Sequence, residues 1–417
     1  MASGRRRLGT LLSTADEIVR VLEVLDGRPA PHGGEAAAAV RLAEWCAARW
    51  PWIEWDVRRY GETGANVVAS AGGRGGTLIY SHLDTSLSGD PAQDRPITGR
   101  TDDPGPLTVH DGLVEGFGLG VARAPAAAAL AGFVDAARSG RASPRLLLAG
   151  SGTHRSTLTG AAGRRRSTGL DHFLAEESGD LPAAAIIAKC GPPTLLWEEP
   201  GALYLRLRIR GGQGAVLVRD SARPPGGVLA HAAPVIEAVE RWRAAYVASH
   251  TAPGTQVGPA AGLGSLTGGR PDKPDLIPAV LEAGIYVVTV PGARPDEIAD
   301  ELAGHVRAAC ADGPLAACAV EVDHDEVHPA AATARDALIV RAARAAWREE
   351  FGGEPPPISG WTGSTDGVVL RSHGVDTVRL GPAARPSAAD PRRDVLDLGS
   401  LTAYSRLYAA IAQSPQS

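Results

Sequence analysis

Residues 14–25 and 36–50 carry Ala, Leu, Val and Trp at helical spacing with charges between them, a pattern that predicts two amphipathic helices. The apolar run Thr77-Leu78-Ile79-Tyr80 follows a glycine-rich turn, 72-GGRGG-76, and predicts the first strand. It leads directly into Ser81-His82-Leu83-Asp84. A polar, Pro- and Asp-rich loop then extends to residue 110, followed by a turn at Asp111-Gly112 and an alanine-rich helix at about 122–137. Strands are predicted at 145-RLLLAG-150 and 184-AAIIAKC-190.

From Ala202 the period changes. Residues 202-ALYLRLRIRG-211 alternate apolar and charged side chains, as in a strand with one buried and one wet face. A helix at about 228–247, strands around 262–267 and 280–290, a helix at about 295–311 and a strand at 317–322 follow. That β-α-β-β-α-β order predicts a small antiparallel sheet with two helices on one face. After Pro329 the pattern returns to helix at about 333–350, a Gly/Pro-rich loop at 352–363, a strand at 376–380 and a helix at about 398–413. The middle segment therefore reads as an insertion: residues 1–201 and 328–417 form one α/β domain, and 202–327 form the inserted domain.

Composition narrows the function classes. With 417 residues, 44% hydrophobic and 21% charged, the chain has the make-up of an ordinary globular protein of two or three domains. A formal net charge of -5 offers no basic field for nucleic acid, and the dense basic run 164-RRRS-167 reads as a solvated loop. Cys46, Cys190, Cys310 and Cys318 are sparse and form no CxxC pair, which points to a reducing compartment. The basic N-terminus lacks the apolar core of a secretory signal, and no run approaches ~20 continuous apolar residues. The expectation is a cytoplasmic protein without a membrane or nucleic-acid partner.

Several motifs in order now carry a resemblance. Residues 79-IYSHLDTS-86, 111-DGLVEGFGLG-120, 201-GALYLRLRIRG-211, 264-GSLTGG-269 with 289-TVPG-292, and 363-GSTDG-367 with 381-GP-382 follow one another along nearly the whole chain. In this order the sequence resembles the two-domain, zinc-dependent amidohydrolases and exopeptidases, which include aminoacylase, carboxypeptidase G and succinyl-diaminopimelate desuccinylase. The resemblance implies a zinc-exopeptidase-like three-layer α/β/α domain with an inserted ferredoxin-like α+β lid domain. It also implies a homodimer formed through the lid.

Amide hydrolysis at neutral pH needs a polarised carbonyl and an activated water, which a pair of zinc ions supplies when about five His, carboxylate or Cys ligands converge. By resemblance, His82 is the first histidine ligand and Asp84 the carboxylate behind it. A strand-end His-x-Asp outside this context is more often a structural hydrogen-bonded pair; the motif order favours the ligand role. The bridging aspartate falls at Val121, which cannot bridge cations. The acidic pair after 145-RLLLAG-150 is replaced by 151-SGTHRS-156, where His154 is either base or ligand, or caps a loop. The next acidic ligand position offers Lys189 or Cys190. Cys190 is a thiolate ligand, a nucleophile or a small buried residue. The final histidine corresponds to Asp390.

The lid positions that bind substrate in the family read Ala215, Asp275 and Val288. Lys189 and Arg123 are the remaining cationic candidates for substrate, and Asp366 anchors a loop over the site. The cluster 323-DHDEVH-328 reads as a solvated charged turn.

Two functions follow. The first is a divergent enzyme that hydrolyses or transfers the amide of an amide-containing or amino-acid-like small molecule, using Asp84, His154 and Cys190. It holds at most one zinc ion, through His82, His154, Cys190 and Asp390, or none. The second is an inactive relative that binds a ligand or a partner protein.

Overall fold

The computed structural model describes residues 14–26, 30–72, 76–151, 168–177, 179–215 and 227–414. The chain divides into two compact units. The larger comprises Met1–Trp197, Thr333–Pro356 and Thr365–Ser417, and the inserted one Glu198–Ala332 with Pro357–Ser364.

The larger unit is built on a six-stranded sheet in the order Glu54–Tyr60, Gly64–Ser70, Arg145–Ala149, Leu78–His82, Ala184–Ala188 and Asp376–Leu380. The last four strands run parallel, and the first two add as an antiparallel hairpin. Three of the parallel strands, Leu78–His82, Arg145–Ala149 and Ala184–Ala188, are buried along their whole length, as expected where both faces of a parallel sheet are covered. The alanine-rich helix Ala124–Arg138 has 13 buried residues out of 15 and is the centre of the core, not a helix with a wet face. It contacts helix Leu398–Gln413 so closely that a Cβ at Gly132 would lie 2.5 Å from the Ser405 carbonyl oxygen. Among the described residues, Leu119–Arg138 is long and apolar enough to cross a membrane, but 89% of that window is buried inside the fold.

The sequence pattern places the first strand too late. Two strands precede it, Glu54–Tyr60 and Gly64–Ser70. The edge strand 54-EWDVRRY-60 has no fully buried residue, so no apolar face marks it. Its outer side is held by charge instead, with Arg58 donating to Glu177 at 2.7 Å. The segment expected as loop to residue 110 contains helix Pro91–Thr98, whose N-terminal Asp90 accepts from the Ala92 N–H, and strand Thr108–His110. That strand pairs with Leu113–Phe117 across Asp111 (φ 51°) and Gly112 (φ 76°), the positive-φ pair of a tight hairpin turn.

The inserted unit is a four-stranded antiparallel sheet ordered Ala260–Gly268, Val280–Thr289, Gly201–Arg210 and Ala319–His328, with helices Ala232–His250 and Pro295–Cys310 packed against it. The alternation from Ala202 is realised directly. Leu203, Leu205, Leu207 and Ile209 face the core at 0–1% exposure, each side chain stabilising by ~1.5–3 kcal/mol. On the opposite face Arg208 pairs with Glu282 and Asp323, and Arg210 pairs with Glu321.

Those pairs correct the reading of 323-DHDEVH-328 as a turn. Strand Ala319–His328 runs through it and pairs with Gly201–Arg210, where Arg208 neutralises Asp323. The inserted unit is also wider than 202–327. Glu198–Glu199 pair with Ala331–Ala332, and Val257 bridges to Trp361.

Candidate functional site

Strand Leu78–His82 delivers His82 to its C-terminal end, and Asp84 follows two residues later. His82 Nδ1 and Asp84 Oδ1 lie 2.9 Å apart, and both residues are buried. A carboxylate behind an imidazole fixes the ring and favours the tautomer with the proton on Nδ1.

Asp84 holds a second imidazole, which the sequence reading did not single out. His32 Nδ1 lies 2.8 Å from Asp84 Oδ2, with the His32 side chain 8% exposed. The loop before helix Ala36–Arg49 puts it there. Thr85 donates its N–H to Ala30 O at 2.8 Å, Pro31 forms a parallel bridge with Thr85, and Gly34 N–H closes onto Pro31 O at 2.7 Å. Gly33 takes φ 82°, a conformation that favours glycine and lets the chain turn back within one residue.

The same loop carries Glu35, also missed and fully buried. Its Oε1 accepts from the Gly33 N–H at 2.7 Å, the Ser151 N–H at 2.8 Å and Ser151 Oγ at 3.2 Å. The Tyr60 hydroxyl donates to Oε2 at 3.4 Å. Burial and then the charge of Asp84 hold the Glu35 carboxyl above its ordinary value. Tyr60 is raised by burial and by Glu35 in turn. Gly150 leaves room for this arrangement, because a Cβ there would lie 2.3 Å from the Tyr60 hydroxyl and 2.8 Å from Glu35 Cδ. Strand Arg145–Ala149 therefore ends, as the sequence says, without a carboxylate of its own. Glu35 supplies one from a distant loop. The available signal was 31-PHGGE-35, two polar groups flanking a glycine pair immediately before a helix.

The other candidates lie in different surroundings. His154 falls outside the described residues. Cys190 follows strand Ala184–Ala188 and packs against the main apolar core; burial, then Asp394, push its thiol up to about 12. It is therefore a thiol, not a thiolate, at neutral pH. Lys189 is buried beside it, its N–H donating to Leu380 O. Asp390 gives both carboxylate oxygens to Arg392, at 2.6–3.1 Å, and Arg392 also reaches Asp102. The guanidinium holds Asp390 below the ordinary carboxylate range.

Arg123 is an interior residue that donates to Asp26 at 3.1 Å and Phe117 O at 3.0 Å and lies over the Phe117 ring. Asp366 is fully buried, and its backbone oxygen accepts the N–H groups of Val369 and Leu370. In the inserted unit Asp275 pairs with Lys273, Val288 is buried, and Ala215 pairs with Leu276 in a two-residue bridge.

Val121 lies in the turn Leu119–Arg123, where the Gly120 N–H donates to Asp394 Oδ2 at 2.8 Å. Among the described residues, no group of three or more His, Cys, Asp and Glu side chains is placed to hold a metal ion. Asp390 is taken up by Arg392, and the described donor set does not fit a two-metal centre.

Solved structures define the class of fold. The chain has the fold of the M20 metallopeptidases. It is similar to an M20-family metallo-carboxypeptidase from Sulfolobus solfataricus, with 15% identity and a TM-score of 0.65 over 96% of this chain and 99% of that one. A tripeptidase from Staphylococcus aureus gives 12% identity and a TM-score of 0.66 over 96% and 98%. A dinuclear metal-binding M20-family peptidase from Bacillus subtilis gives 14% and 0.62 over 96% and 98%. No protein-family model and no curated protein sequence matches the chain.

Proposed function

We propose that the chain cleaves or transfers the amide bond of a small amide or amino-acid-like molecule at the His32–Asp84–His82 and Glu35 cluster. The observation that carries this reading is Asp84, whose two carboxylate oxygens each hold one imidazole at the C-terminal end of a central parallel strand. Ligand chemistry in open α/β sheets collects at such strand ends. Proteins of the same fold described as peptidases act on amide bonds, which supports the same bond type here.

The chemistry follows from the groups present. An imidazole whose Nδ1–H is given to a carboxylate has its lone pair on Nε2, where a proton can be taken or given. His32, the more exposed of the two, is the proton donor for the leaving amine. Asp84 is a positioning residue that fixes both rings. Glu35, which accepts from the Tyr60 hydroxyl, places a further acid–base group beside them.

The described residues do not assemble a metal centre by themselves, and no step depends on one.

Release of primary amine from a panel of N-acyl amino acids and dipeptides, followed by mass spectrometry, tests the reading. Wild-type chain is expected to release amine, with Asp84→Asn and His32→Gln each at least ~10²-fold slower. A folded wild-type chain that cleaves nothing in the panel, or an Asp84→Asn chain as active as wild type, contradicts it.

A further inference from the structure

The described residues include two non-glycine positions with positive φ, Asp111 and Ser151. Asp111 belongs to an Asp-Gly hairpin turn, which accounts for it. Ser151 has φ 51° at the end of strand Arg145–Ala149, a conformation that L residues rarely adopt and that surrounding contacts must enforce. The enforcing contact is Glu35, which accepts from both the N–H and the Oγ of Ser151. The Tyr60 hydroxyl lies 3.3 Å from the same Oγ.

A serine turned sharply out of a strand end, flanked by Gly150 and Gly152, with its hydroxyl on a buried carboxylate, has the geometry of an activated nucleophile. We propose that Ser151 is the acyl-accepting nucleophile of this site and Glu35 its general base. This rests on the amide-bond reading above and names the group that attacks. It requires no metal ion.

The steps balance without a further oxidant or reductant. Ser151 Oγ bonds to the acyl carbon as its proton passes to Glu35. The C–N bond then breaks as His32 gives a proton to the departing amine. The acyl group remains as an ester on Ser151. Water, or a second amine where the reaction is transfer, attacks that ester and gives its proton to His32, while Glu35 returns its proton to Ser151 Oγ and the hydroxyl is recovered. The ligand class implied is an acyl donor with a small amine leaving group.

The test is covalent labelling of the full chain with a fluorophosphonate, followed by peptide mapping, alongside the amine-release panel. The expected result is a single phosphonyl adduct on Ser151, absent from Ser151→Ala and formed about tenfold or more slowly in Glu35→Gln. Ser151→Gly, in which the positive φ is unstrained, guards against a folding failure: it is expected to unfold no earlier than wild type and to take no label.

No adduct on Ser151, or an adduct on another serine such as Ser364, whose hydroxyl lies 3.0 Å from His328 Nε2, overturns the proposal. Amine release that persists in Ser151→Ala overturns it while leaving the amide-bond reading intact. Label on Ser151 with no amine released from any substrate supports the nucleophile and removes the amide-bond reading.

Discussion

His32 Nδ1 lies 2.8 Å from Asp84 Oδ2, which ties the loop before the second helix to the end of a central strand 52 residues later. Asp84 is fully buried, and each of its carboxylate oxygens is hydrogen-bonded by one imidazole. Asp84→Asn keeps the shape but removes that charge and leaves one imidazole facing an amide N–H. The variant is expected to lose about 1–3 kcal/mol of stability in urea unfolding, along with its amide turnover. Unchanged stability would mean that the carboxylate does not organise the two rings.

Glu35 makes stability depend on pH in a defined direction. Burial and Asp84 raise its pKa above the ordinary 4.5, so the folded chain binds this proton more tightly than the unfolded chain. That contribution is complete below the unfolded value and is lost as pH rises through the folded one. Glu35→Gln stays neutral throughout. Its melting temperature relative to wild type is expected to rise between about pH 4 and pH 8, and a difference constant across that range would contradict the assignment.

Cys190 is expected to be inert. With its thiol raised to about 12, little thiolate exists near neutrality, and iodoacetamide should leave Cys190 unmodified in the folded chain while alkylating it after denaturation. Rapid modification in the native state would restore it as a nucleophile or metal ligand.

Arg123 is expected to matter for folding and not for substrate. Its guanidinium is spent on Asp26, Phe117 O and the Phe117 ring. Arg123→Met should cost ~2 kcal/mol of stability with KM unchanged. A raised KM at full stability would return it to the substrate site.

The fold was legible where burial imposes a period. The strand from Ala202 alternates cleanly because one face is core and the other is salt-bridged. The central strands read as apolar runs because both faces are covered. Glu54–Tyr60 left no such trace, being an edge strand with no buried side chain. At the site, His82 and Asp84 were visible because they lie two residues apart at the end of an apolar run that forms a strand. His32 and Glu35 were not, because their partners Asp84 and Ser151 lie 52 and 116 residues away. A search for carboxylates along the strand ends could not find one delivered by a loop.

Central to the proposed function is a reaction carried by His32, Asp84, His82 and Glu35 without a two-metal centre. Plasma mass spectrometry of chain purified with added zinc, beside a His82→Ala variant, tests it most directly. The account predicts at most one ion per chain, with any such ion lost in the variant. Two tightly held ions per chain would contradict it.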